Sequence, residues 1–104
     1  MAANIETIKI EAKQYADEVR NTLPVEKVFL FGSYAKGTAD ELSDVDIAFF
    51  INNFNGKTRV EIGVELLRLT HRYNAYIEPL VFHFSEIAKG NPFVNEIIYT
   101  GLEI

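Results

Sequence analysis

The sequence predicts an α/β fold of the α+β kind, in which a small mixed β-sheet carries helices mainly on one face. Helical and strand-like apolar patterns alternate along the chain, in the order helix, strand, loop, strand, helix, strand and short helix. The 104 residues are 48% hydrophobic and 24% charged, which suits one buried core and is too apolar for a disordered chain. No repeat or proline-rich linker interrupts them, so we expect residues 1–104 to form a single domain.

The first half of the predicted fold is a helix followed by two strands. Apolar residues at steps of three and four predict a helix over 4–23, with Asn4 as its N-cap and Pro24 as its stop. The stretch VEKVFLF predicts a strand over 25–31, and VDIAFFI predicts a buried strand over 45–51. The residues between the strands include the Gly, Ser and Asp that are typical of turns and short helical pieces.

The second half is predicted to contain two helices with a strand between them. Thr58 and Glu61 form a capping box at the start of a helix over 58–73. A third strand is expected over 76–84, and an Asn-Pro pair at 91–92 predicts the start of a short final helix. The apolar face of the longer helix is predicted to consist of Val60, Val64, Leu67 and His71.

Composition and charge exclude several classes of function. The longest apolar run, residues 47–51, is far too short to span a bilayer. Ten Lys and Arg against fifteen Asp and Glu give a net charge of −5, and no basic cluster could follow a nucleic acid backbone. The absence of cysteine and of an apolar N-terminal leader favours a cytoplasmic location.

Two aspartates at the start of the second strand are the first candidates for a functional site. Side chains alternate along a strand, so Asp44 and Asp46 should project from the same face and repel each other. A hard cation such as Mg²⁺ between the two carboxylates would relieve that repulsion. The alternative is structural: Asp44 closes a turn and Asp46 faces solvent.

A glycine-serine turn and a third carboxylate extend this candidate site. Gly32 allows a ligand to approach the backbone closely, and Ser33 offers a hydroxyl and N–H groups to an anion. Glu78, on the third strand before Pro79, is the candidate third metal ligand, the alternative being a glutamate exposed at the rim. Together these residues suggest a site for a complex of a metal and a nucleotide.

The stretch GSYAKGTADELSDVDIAFF resembles the signature of the polymerase β-type nucleotidyltransferase superfamily, and the short chain resembles its minimal (MNT) branch. The resemblance implies that Gly32 and Ser33 hold the β and γ phosphates of ATP. It further implies that Asp44 and Asp46 bind Mg²⁺, and that Glu78 completes a second metal site and helps to deprotonate the acceptor hydroxyl. Where the family often has an arginine after the Gly-Ser pair, this chain has a tyrosine at position 34, which leaves Lys36 as the nearest cation for the triphosphate.

The resemblance also implies a reaction and a partner. Members of the minimal branch pair with small helical HEPN proteins, and the nucleotidyltransferase acts as the antitoxin by moving AMP from Mg·ATP to a tyrosine of the toxin. Two alternatives stay open: a catalytically weak module that neutralises its partner by docking, and a nucleotidyltransferase for a small molecule. Because the chain is short, we expect the acceptor to bring its own binding surface.

Several other residues are interpreted as structural. His71 and His83 are predicted to be packed residues without a catalytic role. The aromatic residues Tyr73, Tyr76, Phe82 and their neighbours are predicted to supply core or interface area, because no basic groove accompanies them.

Overall fold

A computed structural model describes residues 5–40 and 43–104 as four α-helices and one four-stranded sheet. The elements are α1 (Ile5–Arg20), β1 (Val25–Phe31), α2 (Ser33–Lys36), β2 (Val45–Ile51), α3 (Arg59–Leu69), β3 (Ile77–His83), α4 (Pro92–Thr100) and β4 (Leu102–Glu103). Short 3-10 turns follow α3 and β3. Within the described ranges, no helix is both long enough and apolar enough to cross a membrane.

The sheet is mixed and has the strand order β3-β2-β1-β4. Strands β1 and β2 are antiparallel, β4 adds antiparallel to the other side of β1, and β3 runs parallel to β2. Strand β3 is therefore at one edge of the sheet, and it contains Pro79, which has no N–H to donate. The predicted small mixed sheet is confirmed.

One face of the sheet is covered by α1 and α3. Alternate residues of β2, from Val45 to Ile51, are buried against these helices. Tyr15 of α1 is fully buried, packs edge-on against Phe49 with ring centroids 5.7 Å apart, and donates a hydrogen bond to the Leu66 carbonyl of α3 at 2.7 Å. A single side chain thus ties both helices to the sheet.

The opposite face carries the shorter helix α4. Val94 and Ile97 of this helix pack on Phe29, Phe50 and Phe82 of the three long strands. Asp46 and Glu78 belong to this same face by the alternation of side chains along β2 and β3. With two longer helices on one side and one on the other, the predicted arrangement of helices mainly on one face is confirmed.

Most of the predicted element boundaries agree with the structure to within a few residues. Strands β1 and β2 have the predicted limits, and the Thr58 capping box forms, with the Thr58 N–H donating to Glu61 Oε1 at 2.9 Å. Helix α1 ends at Arg20 rather than at 23, because Pro24 disfavours helical geometry in the residue before it and the last turn unwinds. The proposed N-cap, Asn4, lies outside the described residues.

The predicted apolar face of α3 is wrong. Val60, Val64 and Leu67 are 74%, 43% and 52% exposed, whereas Ile62 and Leu66 are fully buried. Helix α3 is apolar on two sides, and packing against β3 selects one of them, a choice that periodicity alone does not determine. The helix ends at Leu69 and continues as a 3-10 turn over Thr70–Arg72.

The two histidines are not packed as predicted. His71 lies in the 3-10 turn after α3 and is exposed, because the tighter turn rotates it away from the helical stripe. His83 is also exposed, although its ring stacks on Phe54 with centroids 3.7 Å apart. Strand β4 and the 3-10 turn Phe84–Ile87 are elements that the sequence patterns did not predict.

Candidate functional site

Two of the predicted carboxylates are direct neighbours across the sheet. Asp46 of β2 and Glu78 of β3 are paired in the parallel register, at a strand separation of about 4.8 Å. Asp44 lies two residues before Asp46, just outside the strand, and by alternation shares its face. The structure therefore brings Asp44, Asp46 and Glu78 to one end of the sheet, on the face opposite α1 and α3.

The charges of these three carboxylates influence one another. The pKa of Asp46 is raised from 3.8 to about 6, mainly by partial burial and then by the nearby charges of Glu78 and Asp44. Asp44 and Glu78 are exposed, whereas Asp46 is half-buried. The ionised form of Asp46 is thus disfavoured, and either a proton or a cation would relieve this cost.

The glycine-serine turn lies directly against Asp46. Gly32 has a φ of 74°, a conformation that L residues with side chains rarely adopt. A Cβ at this position would overlap with Asp46 Oδ2. Gly32 is the N-cap of the short helix α2, and its carbonyl accepts a hydrogen bond from the Lys36 N–H at 3.0 Å. A residue without a side chain therefore occupies position 32, where the backbone of the turn lies against the Asp46 carboxylate.

Tyr34 and Lys36, which come after the Gly-Ser pair, differ in their exposure to solvent. Tyr34 is 7% exposed and belongs to the core, so it does not replace the family arginine as a surface ligand. Lys36 is about half-exposed, and its ammonium group pairs with Glu96 of α4 at 3.2 Å. Both members of this ion pair line a small cavity of about 150 Å³ beside Gly32. A phosphate at the turn would compete with Glu96 for the lysine.

A larger cavity opens on the other side of the carboxylates. It has a volume of about 430 Å³ and is bounded by Asp44 and Glu78 together with the segment that connects α3 to β3. Tyr76, predicted from the sequence to supply core or interface area, lines this cavity with 75% of its surface exposed. Strand alternation was the signal that could have placed it, because Tyr76 and Glu78 flank the buried Ile77.

The chemistry of the donors fits a hard cation. Asp44, Asp46 and Glu78 supply only carboxylate oxygens, the ligands that Mg²⁺ prefers, and Asp46 carries an electrostatic cost that a cation would remove. Over residues 5–40 and 43–104, no three acidic or histidine side chains already stand in the arrangement of a metal site. Binding an ion shared by the three carboxylates would therefore require their side chains to rearrange.

Comparison with known sequences gives a consistent result. The family model described as a nucleotidyltransferase domain matches residues 12–99. A Methanocaldococcus jannaschii protein provisionally named protein adenylyltransferase MJ0141 is 31% identical over 101 residues, which cover 96% of this chain and 97% of the relative. A second protein of that organism with the same provisional name, MJ1305, is 35% identical over 83 residues, covering 74% of this chain and 55% of the relative.

Solved structures share the fold. A provisionally identified nucleotidyltransferase from Sulfolobus solfataricus superposes with a TM-score of 0.61 at 25% identity, over 76% of this chain and 69% of the other. A toxin–antitoxin complex with AMP-PNP gives a TM-score of 0.53 at 18% identity, over 97% and 72% of the two chains. A mutant of the MntA–HpeT toxin–antitoxin pair gives the same score and identity, over 98% and 72%. The fold is that of the polymerase β-like nucleotidyltransferases.

Proposed function

This chain belongs to the nucleotidyltransferase domain family, and from that membership we propose that it transfers AMP from ATP to a hydroxyl group of a protein partner. One observation carries the proposal: the Gly32 turn lies against Asp46, which is itself the cross-strand partner of Glu78. A turn suited to phosphate and a set of carboxylates suited to a cation are thereby adjacent on one face of the sheet.

For the residues of this site we propose the roles that the resemblance to the superfamily implies. The backbone at Gly32 and Ser33 holds the β and γ phosphates, and Lys36 supplies a cation once it leaves Glu96. Asp44, Asp46 and Glu78 hold Mg²⁺, with two ions expected. When bound, such ions stabilise the charge that develops on the attacking and leaving oxygens of an in-line displacement.

In the transfer, one bond to the α-phosphorus of ATP forms and another breaks. The acceptor oxygen forms a bond to the α-phosphorus of ATP, and the bond from that phosphorus to the bridging oxygen of the β-phosphate breaks. Pyrophosphate leaves with the bonding electron pair. The hydroxyl proton passes to the Glu78 carboxylate and from there to solvent, which the exposure of Glu78 permits. The products are pyrophosphate and an adenylylated acceptor.

We propose that the acceptor is a tyrosine of a HEPN-domain toxin in the cytoplasm and that this chain acts as its antitoxin. Two findings support a protein acceptor: relatives with about a third identity are provisionally named protein adenylyltransferases, and structures of the same fold occur in toxin–antitoxin complexes. The HEPN class and the tyrosine come from the resemblance to the minimal branch of the superfamily.

The test is to incubate the chain with Mg·ATP and a HEPN-domain protein from the same genome and to measure the intact mass of that partner. We expect one or more AMP additions on the partner, no addition with EDTA, and none with Asp46→Asn. Tyr99→Ala is the matched control, because Tyr99 on α4 is 90% exposed and takes no part in the site. An unchanged partner mass with wild-type protein would contradict the assignment.

The docking module is the second candidate, and the engaged lysine favours it. Lys36 is paired with Glu96, and the neighbouring Tyr34 is buried, so the turn offers no free cation from these two positions. Titration calorimetry separates the two functions. Partner binding without any binding of Mg·ATP supports docking alone, whereas Mg·ATP binding that Glu96→Gln strengthens supports the enzyme.

A further inference from the structure

We propose that the cavity of about 430 Å³ beside Asp44 and Glu78 is the acceptor subsite, that it receives a phenolic side chain of a protein, and that Tyr76 determines this preference. The inference rests on the proposed adenylyl transfer and deepens it by assigning a place and a specificity residue to the second substrate.

The position of the cavity follows from the order of strands. The Gly32 turn extends from β1, Asp46 lies on β2, and Glu78 lies on β3. These strands are neighbours in the sheet, so the distance from the turn to Glu78 is about two strand spacings, or roughly 10 Å. In an in-line displacement the acceptor attacks opposite the leaving group. If pyrophosphate leaves on the β1 side, the acceptor enters from the β3 side, where the cavity opens.

The wall of the cavity is held in place by α1. The Glu11 carboxylate accepts backbone hydrogen bonds from Asn74 and from Ala75, the latter at 3.1 Å. Tyr73 packs its ring against the buried Tyr15, with centroids 5.5 Å apart, and its hydroxyl donates to a carboxylate of α1 at 3.2 Å. These contacts fix a loop that would otherwise be free to fill the cavity or to move away.

The backbone of Tyr76 is equally fixed, although its ring is not covered. The Tyr76 carbonyl accepts a hydrogen bond from the Val45 N–H at 2.7 Å, which joins the start of β3 to the start of β2. The side chain is nevertheless 75% exposed, on the same side as Glu78. An aromatic ring on a fixed backbone is suited to contact a second aromatic ring.

The charge of the lining favours a neutral acceptor. Among the described residues that form the cavity, Asp44 and Glu78 are acidic and no lysine or arginine is present. Even when bound cations neutralise these carboxylates, the described lining offers no lysine or arginine to pair with a phosphate or carboxylate ligand, whereas a phenol would present a neutral ring to Tyr76 and a hydroxyl to Glu78. A protein side chain meets this description without requiring a fully enclosed pocket.

The experiment compares Tyr76→Ala with wild type, using N-acetyl-tyrosinamide and N-acetyl-serinamide as acceptors with Mg·ATP. We expect the KM for the tyrosine probe to rise about two- to tenfold, which corresponds to the contact between two rings, while the KM for ATP and for the serine probe changes little. Tyr76→Phe should restore the wild-type KM, and Tyr99→Ala should have no effect. A rise in the KM for ATP alone would mean that the cavity holds the nucleoside, which overturns the proposal.

A second measurement does not depend on turnover. Backbone amide NMR shifts are recorded while N-acetyl-tyrosinamide is added to the chain with Mg²⁺ and α,β-methylene-ATP, in which the bond that adenylyl transfer breaks is replaced by a P–C bond. We expect shifts at residues 74–78 that Tyr76→Ala weakens. Shifts elsewhere, or none, overturn the acceptor subsite whether or not transfer is observed. Shifts at 74–78 together with an unchanged mass of the protein partner in Mg·ATP would instead refute the proposed activity and leave the binding cavity in place.

Discussion

The two faces of strand β2 differ in what they contribute. Val45, Ile47, Phe49 and Ile51 point toward α1 and α3 and are at most 1% exposed. On the other face of the same strand, Asp46 carries a raised pKa and lies against the left-handed backbone of Gly32. The side chains that stabilise the fold thus lie on the helix-covered face, whereas the energetically costly features lie at one end of the opposite face. Functional sites commonly show this separation, since local strain persists only where the surrounding structure supports it.

Truncating the covered face should have the largest effect. Phe49→Ala removes a fully buried ring and its edge-on contact with Tyr15, so we expect the free energy of unfolding to fall by about 3–5 kcal/mol. Urea denaturation followed by circular dichroism measures this loss. A loss below 1 kcal/mol would show that the face does not provide the main stability of the fold.

Gly32→Ala should have the next largest effect, because it introduces strain at the junction of turn and carboxylate. The positive φ alone costs about 1–3 kcal/mol for a residue with a side chain, and the new Cβ would also overlap with Asp46 Oδ2. Denaturation in wild-type and Asp46→Ala backgrounds separates the two causes. We expect the cost to be smaller, but not zero, in the Asp46→Ala background. Equal costs in both backgrounds would refute the contact between the turn and the carboxylate.

Asp46→Asn should stabilise the protein in EDTA while it abolishes transfer. The folded state raises the pKa of Asp46 from 3.8 to about 6, so the folded state binds a proton more tightly than the unfolded state between these values. The free energy of unfolding of the wild type therefore falls as pH rises through this window. The Asp46→Asn variant lacks this loss of stability. Above pH 6 we expect its free energy of unfolding to exceed that of the wild type by about 1 kcal/mol, a value reduced because Asp46 is partly exposed. Below about pH 4 we expect the two proteins to be equally stable.

Thermal unfolding of the two proteins across that pH range measures the difference. Glu6→Gln is a control for loss of one acidic charge, because Glu6 lies on α1, outside the carboxylate site. A stability difference that does not vary with pH would contradict the electrostatic origin of the strain.

The smallest effect is expected on the uncovered side of α3. Leu67 is 52% exposed and Leu66 is fully buried, although the two are adjacent in the helix. Leu67→Ala should change the free energy of unfolding by less than about 0.5 kcal/mol, whereas Leu66→Ala should cost about 2–5 kcal/mol. The same denaturation assay compares them. Similar costs would mean that α3 packs through the face that the sequence pattern indicated.

Local signals predicted the strands and the helix starts. The limits of β1 and β2 and the capping at Thr58 and Asn91 depend on neighbouring residues, and the sequence contains those residues. Strand alternation and the resemblance also selected the carboxylates and the turn that the fold brings to one end of the sheet.

Features that depend on distant parts of the chain were not predicted. Helix α3 has apolar residues on two sides, and only β3 and α1 determine which side is buried. The ion pair of Lys36 with Glu96 joins residues 60 positions apart, and the wall of the cavity beside Glu78 is a loop that Glu11 of α1 anchors. Such contacts are set by tertiary packing, which periodicity within one element does not report.

The proline of the edge strand has a consequence for how the molecules behave in a crowded solution. Because the Tyr76 carbonyl faces β2, alternate residues of β3 direct their backbone groups outward, and Pro79 is one of them. A strand from another molecule that paired with β3 would therefore lack a backbone N–H donor at the middle of this edge. At the opposite edge of the sheet, β4 spans only two residues. Because neither edge offers a continuous row of backbone partners, we expect the sheet to resist strand addition from other molecules, while the end that carries the carboxylates stays accessible to a partner.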